Sequence, residues 1–189
     1  MPQTLFIKNM VCDRCKMAVG HILQEQGLHA ESIDLGTVVI AEQQLTETQK
    51  QKLAKALEAM GFELLGDKRQ QLLERIKSTI VALVHYQPQG RRLTLSAYLS
   101  QELHADYSGL SKLFSECTGM TIERFYMLQR IERVKQLLKY GELTLTQIAL
   151  QMDYSSVAYL SSQFKSVTGM TPSQFKQLGK NTLVPLDKI

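Results

Sequence analysis

Two cysteines near the start of the chain have a spacing that suits the binding of a soft metal ion. Cys12 and Cys15 are three residues apart, and Met10 stands two positions before the first of them. A Cys-x-x-Cys pair at a helix start can turn both sulfurs toward one ion, and the positive helix end lowers the thiol pKa. Two thiolates favour Cu(I), and they bind Zn(II) if other ligands join. We therefore predict a metal site at Cys12 and Cys15, with Met10 as a loop anchor.

A second set of candidate residues lies in a segment that the chain uses twice. The sequence LTL at 93–95 recurs at 143–145, and TGMT at 118–121 recurs at 168–171, so that the offset is 50 residues in both cases. Between 93 and 121, 11 of the 29 positions are identical at this offset, whereas chance predicts roughly two. Such a repeat indicates one supersecondary unit present in two copies.

The residues that mark helix starts and ends in the second copy predict a helix-turn-helix. Thr144 and Gln147 form a capping-box pattern at a helix start, and Gly169 is typical of a helix end. Pro172 favours the first position of a further helix. A single copy is explained equally well by an ordinary helical hairpin, but two copies joined by a long helix at 123–140 favour paired helix-turn-helix units. We place these units at about 94–119 and 144–169.

The second copy resembles the signature of AraC/XylS-type transcriptional regulators. The matching residues are Ile148-Ala149, Tyr154, Phe164-Lys165, and the run Gly169-Met170-Thr171-Pro172-Ser173-Gln174-Phe175 followed by Lys176. Asp153 stands where the family has its turn glycine. The resemblance covers about residues 68–179. It implies a non-enzymatic regulator, with no catalytic residues, that binds double-stranded DNA in successive major grooves, contacts RNA polymerase and could form a homodimer.

In that family the base-reading positions lie on the exposed face of each second helix. By alignment they are Ser108, Ser111 and Lys112 in the first unit, and Val157, Ala158 and Ser162 in the second. A lysine can read guanine O6 and N7, and a small apolar side chain can touch a thymine methyl group. Basic residues that could contact phosphates, or that are simply solvated, are Arg130, Arg133, Lys135, Lys139 and Lys165.

Residues before 67 show a different pattern, which predicts alternating strands and helices. Short apolar or β-branched runs at 4–8, 32–35, 37–41 and 62–65 read as strands. Helical patterns follow Cys15 and Thr46, the second carrying Leu53, Leu57 and Met60. The order βαββαβ predicts a ferredoxin-like sheet with two helices on one face. The fold class is therefore α+β, with a domain at 1–66 and an all-α domain at 67–189 that begins with a helix at 67–85 and a loop at 87–92.

The position of Met10, Cys12 and Cys15 between the first strand and the first helix resembles the heavy-metal-associated domain of copper chaperones and metal-pumping ATPases. Asn9 and Val11 stand where that family usually has glycine and threonine. The resemblance implies Cu(I) or another soft metal as the cofactor. Three alternatives remain open: a metal-free dimerisation or partner-docking module, a metal-trafficking protein, and a redox pair of the thioredoxin type.

Composition and charge fit this organisation. Residues 1–66 contain 6 Lys+Arg and 8 Asp+Glu, whereas residues 67–189 contain 16 and 10. A basic half beside an acidic half fits a nucleic-acid-binding module, although a solvated surface explains the same charge. Only three cysteines are present, and the first residues lack the basic region of a signal peptide. We therefore expect a cytoplasmic protein without a membrane segment, in which Cys117 is a small buried hydrophobe.

Overall fold

The computed structural model describes residues 2–86, 93–178 and 183–189. This part of the chain is mixed α/β and mostly helical, with one small antiparallel sheet near the N-terminus. The chain divides into two compact units, Met1–Thr79 and Ile80–Ile189. This division falls inside a helix, whereas the domain boundary at 66/67 inferred from the sequence stays a prediction. The predicted loop at 87–92 lies outside the described residues.

The first unit alternates strands with helices in the predicted order. Its elements are β1 (Gln3–Lys8), α1 (Asp13–Glu25), β2 (Ala30–Asp34), β3 (Thr37–Ile40), α2 (Glu47–Ala59), β4 (Glu63–Leu64) and the first part of α3 (Lys68–His85). The strands are antiparallel and lie in the order β2-β3-β1-β4. Strand β1 is therefore central, with two neighbours, and Gly36 makes the tight β2–β3 turn at a φ of 78°.

Two amphipathic helices supply most of the apolar residues that cover this sheet. The core contains Leu5 and Ile7 from β1, with further buried side chains from β3, α1 and α2: Val38, Ile40, Val19, Ile22, Leu23, Leu53 and Leu57. The sequence interpretation was wrong about Met60. Helix α2 ends at Ala59, so Met60 is the C-cap and is 61% exposed instead of continuing the buried stripe.

The second unit is helical in the residues described. After the end of α3 come α4 (Leu95–Leu103), α5 (Tyr107–Thr118), α6 (Ile122–Tyr140), α7 (Leu145–Gln151), α8 (Val157–Thr168), α9 (Pro172–Gln177) and a short 3-10 helix (Leu186–Lys188). The capping box predicted at Thr144 is formed, and Thr171 makes a further one at the start of α9. No helix in the parts of the chain just named is long and apolar enough to cross a membrane.

Helix α6 joins the two repeats and provides the floor of the second one. Ile131, Val134, Leu137 and Leu138 are buried along its length, as the sequence pattern predicts. They form one cluster with residues of α7, α8 and α9, among which Ile148, Leu160, Phe164 and Phe175 are all buried. The second helix-turn-helix is thus fixed to α6 by a continuous apolar core.

Candidate nucleic-acid interface and thiol pair

Helix α5 is the second helix of the first repeat. Its inner face packs through Leu110 and Phe114, and the Phe114 ring lies 5.4 Å from that of Phe125 on α6. Asp106 caps the helix by accepting hydrogen bonds from the backbone N–H groups of Ser108 and Gly109. Such a cap satisfies donors that the first turn would otherwise leave unpaired. The core and the cap together fix which side of α5 faces solvent.

The predicted reading residues of α5 lie on its outer side. Ser108 and Lys112 are exposed and Ser111 is half-buried. The Ser108 hydroxyl donates to the Asp106 carboxylate, and this bond is the main cause that lowers the pKa of Asp106. Ser108 is therefore held by its own cap, whereas Lys112 extends from the helix as an exposed cation. Cys117 is also exposed, contrary to expectation, because it lies in the last turn of α5 beyond the buried Leu110 and Phe114.

Helix α8 is the second helix of the second repeat and presents a less polar surface. Ala158 and Ser162 are exposed, and so is Lys165 in its last turn. Val157 is half-buried and packs against the apolar core of the helical unit. Ser156 caps the helix by accepting from the backbone N–H of Tyr159, at 3.1 Å. The structure thus brings Ala158 and Ser162 to one exposed face and turns part of Val157 inward.

Three basic side chains of α6 make hydrogen bonds or ion pairs within the protein and do not simply extend into solvent. The Arg133 side chain donates to the Gln136 side chain at 3.1 Å and is half-buried. Lys135 forms an ion pair with Glu132 at 2.8 Å, with only 12% of the lysine side chain exposed. The expectation that Lys135 is solvated is wrong, because its ion pair with Glu132 keeps most of the side chain out of solvent. Its phosphate contact stays a prediction. Arg130 is turned toward the second helix-turn-helix, where it meets the carbonyl of Met152 and the ring of Tyr154.

A buried polar network on α6 was not predicted. Gln129 is fully buried, and its side chain contacts His85 Nε2 at 3.1 Å and donates to the carbonyl of Leu186 at 3.4 Å. Glu132 accepts from the backbone N–H of Val184 at 2.8 Å. Burial lowers the pKa of His85 to about 4. Nothing in the periodicity could reveal this network, since Gln129 and Glu132 are polar residues that an amphipathic pattern places outside.

In the first unit, Cys12 and Cys15 meet at the start of α1, as predicted. Cys12 is the N-cap residue, the two sulfurs lie 3.3 Å apart, and both side chains are partly exposed. Met10 is 1% exposed and belongs to the core. The expectation of a lowered thiol pKa is wrong for Cys15, because burial and the neighbouring Cys12 thiol together raise the pKa of Cys15 against the effect of its backbone hydrogen bonds.

The loop before the cysteines is held from two sides. Asn9 adopts a φ of 71°, a left-handed conformation that asparagine tolerates better than most residues. Its side chain donates to the carbonyl of Gly61 at 2.9 Å, and its backbone N–H donates to the Glu74 carboxylate at 3.2 Å. These two contacts hold Asn9 in a conformation that otherwise favours glycine.

The donor set and spacing of the thiol pair fit a soft metal ion. Metal–thiolate distances are about 2.3 Å, so two sulfurs 3.3 Å apart can both reach one ion. Within the described residues, no group of three or more His, Cys, Asp or Glu side chains is placed to hold a metal. A bound ion would therefore have two protein ligands here, unless a second chain or a small molecule supplied more.

Comparison with known proteins concerns the helical part of the chain. Residues 99–178 match a family model described as a helix-turn-helix domain. This part of the chain is a helix-turn-helix domain. The helix-turn-helix domain is similar in fold to the C-terminal domain of AraT, a response regulator from Geobacillus stearothermophilus, with a TM-score of 0.50 and 23% identity over 59% of this chain and 88% of that one. That likeness concerns the fold alone.

Two curated relatives extend the similarity at the level of sequence. An uncharacterized HTH-type transcriptional regulator of Staphylococcus aureus is 40% identical over 78 residues, which are 41% of this chain and 10% of the relative. The HTH-type transcriptional activator RhaR of Salmonella schwarzengrund is 31% identical over 120 residues, or 64% of this chain and 40% of the relative. The chain thus spans less than half the length of either relative. Their names describe both relatives as transcriptional regulators of the helix-turn-helix type.

Proposed function

We propose that this chain is a sequence-specific transcriptional regulator whose α5 and α8 enter successive major grooves of double-stranded DNA. The observation that carries the proposal is the pair of equivalent helices, each capped at its start, packed through a Leu and a Phe, and exposed on the opposite face. In helix-turn-helix proteins the second helix lies in the major groove and reads base edges. A partner such as RNA polymerase, and a homodimer, remain predictions.

Individual residues have different proposed roles in this interface. Lys112 is the strongest candidate for a base contact, because it is exposed on α5 and a lysine pairs well with guanine O6 and N7. Ser108 and Ser111 lie on the same helix as secondary candidates. Lys165, exposed in the last turn of α8, and Arg133 are proposed to contact phosphates.

Selection of bound duplexes from a random pool with the purified full chain tests this function. We expect one enriched sequence and an affinity that falls steeply with salt, because bound phosphates release counterions. Replacing Lys112 by Ala should weaken binding by about 1–3 kcal/mol and relax the preference at one base position. No enrichment over the starting pool would reject the proposal. An equal loss on all sequences would make Lys112 a phosphate contact.

We further propose that the first unit is a ferredoxin-like domain that binds a soft metal ion through Cys12 and Cys15. The favouring observation is the 3.3 Å separation of the two sulfurs at the start of α1, above the buried Met10. Cu(I) suits a site with two thiolates. The bound ion would then be the ligand to which the regulator responds. The alternatives for the same loop are a metal-free dimerisation or partner-docking module, a metal-trafficking protein and a redox pair.

The metal proposal is tested on the full chain with Cu(I). The double variant Cys12→Ser and Cys15→Ser should lose the thiolate-to-metal absorption, and Cys117→Ser is the matched control because it removes an exposed cysteine from the helical unit. Unchanged metal stoichiometry in the double variant would place the site elsewhere.

Operator titrations of metal-free protein, Cu(I)-loaded protein and the double variant then test whether the metal regulates DNA binding. Coupling between sites is reciprocal and typically changes affinity by roughly 5–150-fold. Helix α3 contributes Glu74 to the loop of Asn9 in the first unit and His85 to the bond with Gln129 in the second. Equal operator affinities in all three samples would leave a DNA-binding regulator with a metal site that does not control it.

A further inference from the structure

The turn between α7 and α8 is held by an arginine that belongs to α6. Arg130 donates from Nη2 to the carbonyl oxygen of Met152, which is the C-cap residue of α7. Its guanidinium carbon lies 3.9 Å from the centre of the Tyr154 ring and 5.4 Å from that of Tyr126. Stacking of this kind covers a face of the planar cation, and a partly buried cation–π contact is stronger than an exposed one.

Tyr154 carries this contact onward to the reading helix. Its hydroxyl donates to the side-chain carbonyl of Gln163 on α8 at 2.6 Å. Burial raises the pKa of Tyr154 to about 12, so that the hydroxyl stays protonated and remains a donor. Gln163 follows Ser162, one of the predicted reading positions. Arg130, Tyr154 and Gln163 therefore form one path from α6 to the helix that presents Ala158 and Ser162.

The turn that Arg130 holds has an unfavourable backbone conformation. Asp153, between Met152 and Tyr154, has a φ of 52°, in the left-handed region that favours glycine. A non-glycine residue persists there only when its surroundings determine its conformation. The bond to the Met152 carbonyl and the stack on Tyr154 flank Asp153 on both sides. The position 50 residues before Arg130 is Ile80. The first helix-turn-helix unit therefore has no arginine that corresponds to Arg130.

We infer that Arg130 is a positioning residue, which fixes the orientation of α8 through Met152 and Tyr154 and does not neutralise a DNA phosphate. This inference rests on the proposed DNA-binding function. A phosphate contact would require the guanidinium to turn its donors outward. Its half-buried side chain instead gives one donor to a carbonyl and one face to an aromatic ring. The consequence is that Arg130 controls sequence preference and leaves the electrostatic part of binding unchanged.

The test compares Arg130→Ala and Arg130→Lys with Lys165→Ala in full-length protein, on the selected operator and on operators with single base substitutions, across a salt series. Lys55→Ala, an exposed charge in the first unit, is the charge-matched control. The half-site whose preference Lys112→Ala relaxes is assigned to α5, and the other to α8. Far-UV circular dichroism and thermal melting report whether each variant folds.

Both Arg130 variants should lose about tenfold discrimination at the α8 half-site and keep the preference at the α5 half-site. Their log–log salt slope should equal that of the wild type, whereas Lys165→Ala should reduce it by about one. Lysine should fail to rescue, because it lacks the planar group that stacks on Tyr154 while bonding to Met152. Tyr154→Leu should give the same loss, and combining it with Arg130→Lys should add little.

Three outcomes distinguish the inference from its rivals. A salt slope lowered by about one in Arg130→Ala, with affinity restored by lysine, would make Arg130 a phosphate contact and overturn the inference. Equal loss of preference at both half-sites would show a general structural role and overturn it as well. Failure of the wild-type chain to bind any selected duplex rejects the proposed function itself, before any variant is compared.

Discussion

Leu110 and Phe114 in the first helix-turn-helix unit and Leu160 and Phe164 in the second stand 50 residues apart and are all buried. Each phenylalanine packs against an aromatic ring of the helix that follows, Phe114 at 5.4 Å from Phe125 and Phe164 at 5.5 Å from Phe175. The glycines that end α5 and α8 have nearly the same φ, 73° and 79°. The repeat therefore preserves the apolar layer and the helix ends.

The polar contacts that hold the two reading helices are different. In the first helix-turn-helix unit, Tyr107 at the start of α5 donates to the carboxylate of Glu123 on α6. In the second helix-turn-helix unit, Val157 stands at the position of Tyr107, and Arg130 and Tyr154 hold the turn instead. The turn itself is longer, since residues 104–106 separate α4 from α5 while residues 152–156 separate α7 from α8.

This difference teaches that one backbone unit can be kept while its surface specialises. A repeated core needs only similar apolar residues at the same spacing, because burial is non-directional. Hydrogen bonds and cation–π contacts depend on direction and require a specific partner on a neighbouring element. The outer face of α5 presents Lys112, whereas that of α8 presents Ala158 and Ser162. We therefore expect the first helix-turn-helix unit to contribute more to base discrimination than the second.

The largest effect is expected from the shared core. Phe114→Ala and Phe164→Ala should each lower the free energy of unfolding by about 3–5 kcal/mol, because each removes a fully buried ring. Urea unfolding of the full chain, followed by far-UV circular dichroism, measures both. Ser166→Ala, at an exposed position of α8, is the control. If one of the two substitutions lowered the free energy of unfolding several times more than the other, the cores of the two helix-turn-helix units would not be equivalent.

The next effect concerns pH and His85, which contacts Gln129 of α6. Burial is the main cause that lowers the pKa of His85 to about 4, and the charge of Arg133 lowers it further. In the unfolded chain this imidazole titrates near 6.5, so the unfolded state binds more protons between pH about 6.5 and about 4. The contribution of His85 to stability is therefore lost as pH falls through this window, by at most about 3 kcal/mol.

His85→Gln tests this effect, because glutamine cannot take up the proton. The difference in unfolding free energy between wild type and variant, measured at pH 7 and pH 4.5, isolates His85 from the carboxylates that titrate in both proteins. Stability should fall more steeply in the wild type. Parallel pH profiles would show that His85 is protonated at little cost in the folded chain, and that the buried bond to Gln129 does not constrain it.

The reading faces can be compared directly by exchanging equivalent residues, Lys112 and Ser162. Lys112→Ser should cost about 1–3 kcal/mol of discrimination at one base pair of the α5 half-site. Ser162→Lys should introduce a preference for guanine at the α8 half-site, since the position is exposed. Binding to single-substitution operators at constant salt measures both. The comparison of the two faces would fail if Ser162→Lys raised affinity equally for every sequence.

The smallest effect is expected from the helix caps. Ser156→Ala should lower the stability of the second unit by about 1 kcal/mol, because one backbone N–H of α8 loses its partner. Asp106→Ala should cost more, since its carboxylate accepts from two backbone N–H groups and the Ser108 hydroxyl. Thermal melting compares the two variants, and Gly at each position serves as the mild control. The reverse order would contradict the structural difference between the caps.

Local rules were enough for the sequence to indicate the elements of this protein. Helix α6 lies within one residue of its predicted start, and the predicted capping box at Thr144 depends on residues three apart. The thiol pair was equally local, because Cys12 is the N-cap of α1 and Cys15 lies in its first turn. Departures from the family patterns at Asn9 and Asp153 were visible too, and both residues take the left-handed conformation.

Only the tertiary structure decided which polar residues are engaged inside the fold. Arg130 reaches Met152 across 22 residues of sequence, Gln129 reaches Leu186 across 57, and Asn9 reaches Glu74 across 65. A helical period assigns polar residues to the solvent side, because it contains no information on what a neighbouring element places there. For the same reason the sequence pattern predicted a solvated Lys135, which is mostly buried, and a buried Cys117, which is exposed. Burial of a polar group depends on a partner far along the chain, which only the packed structure identifies.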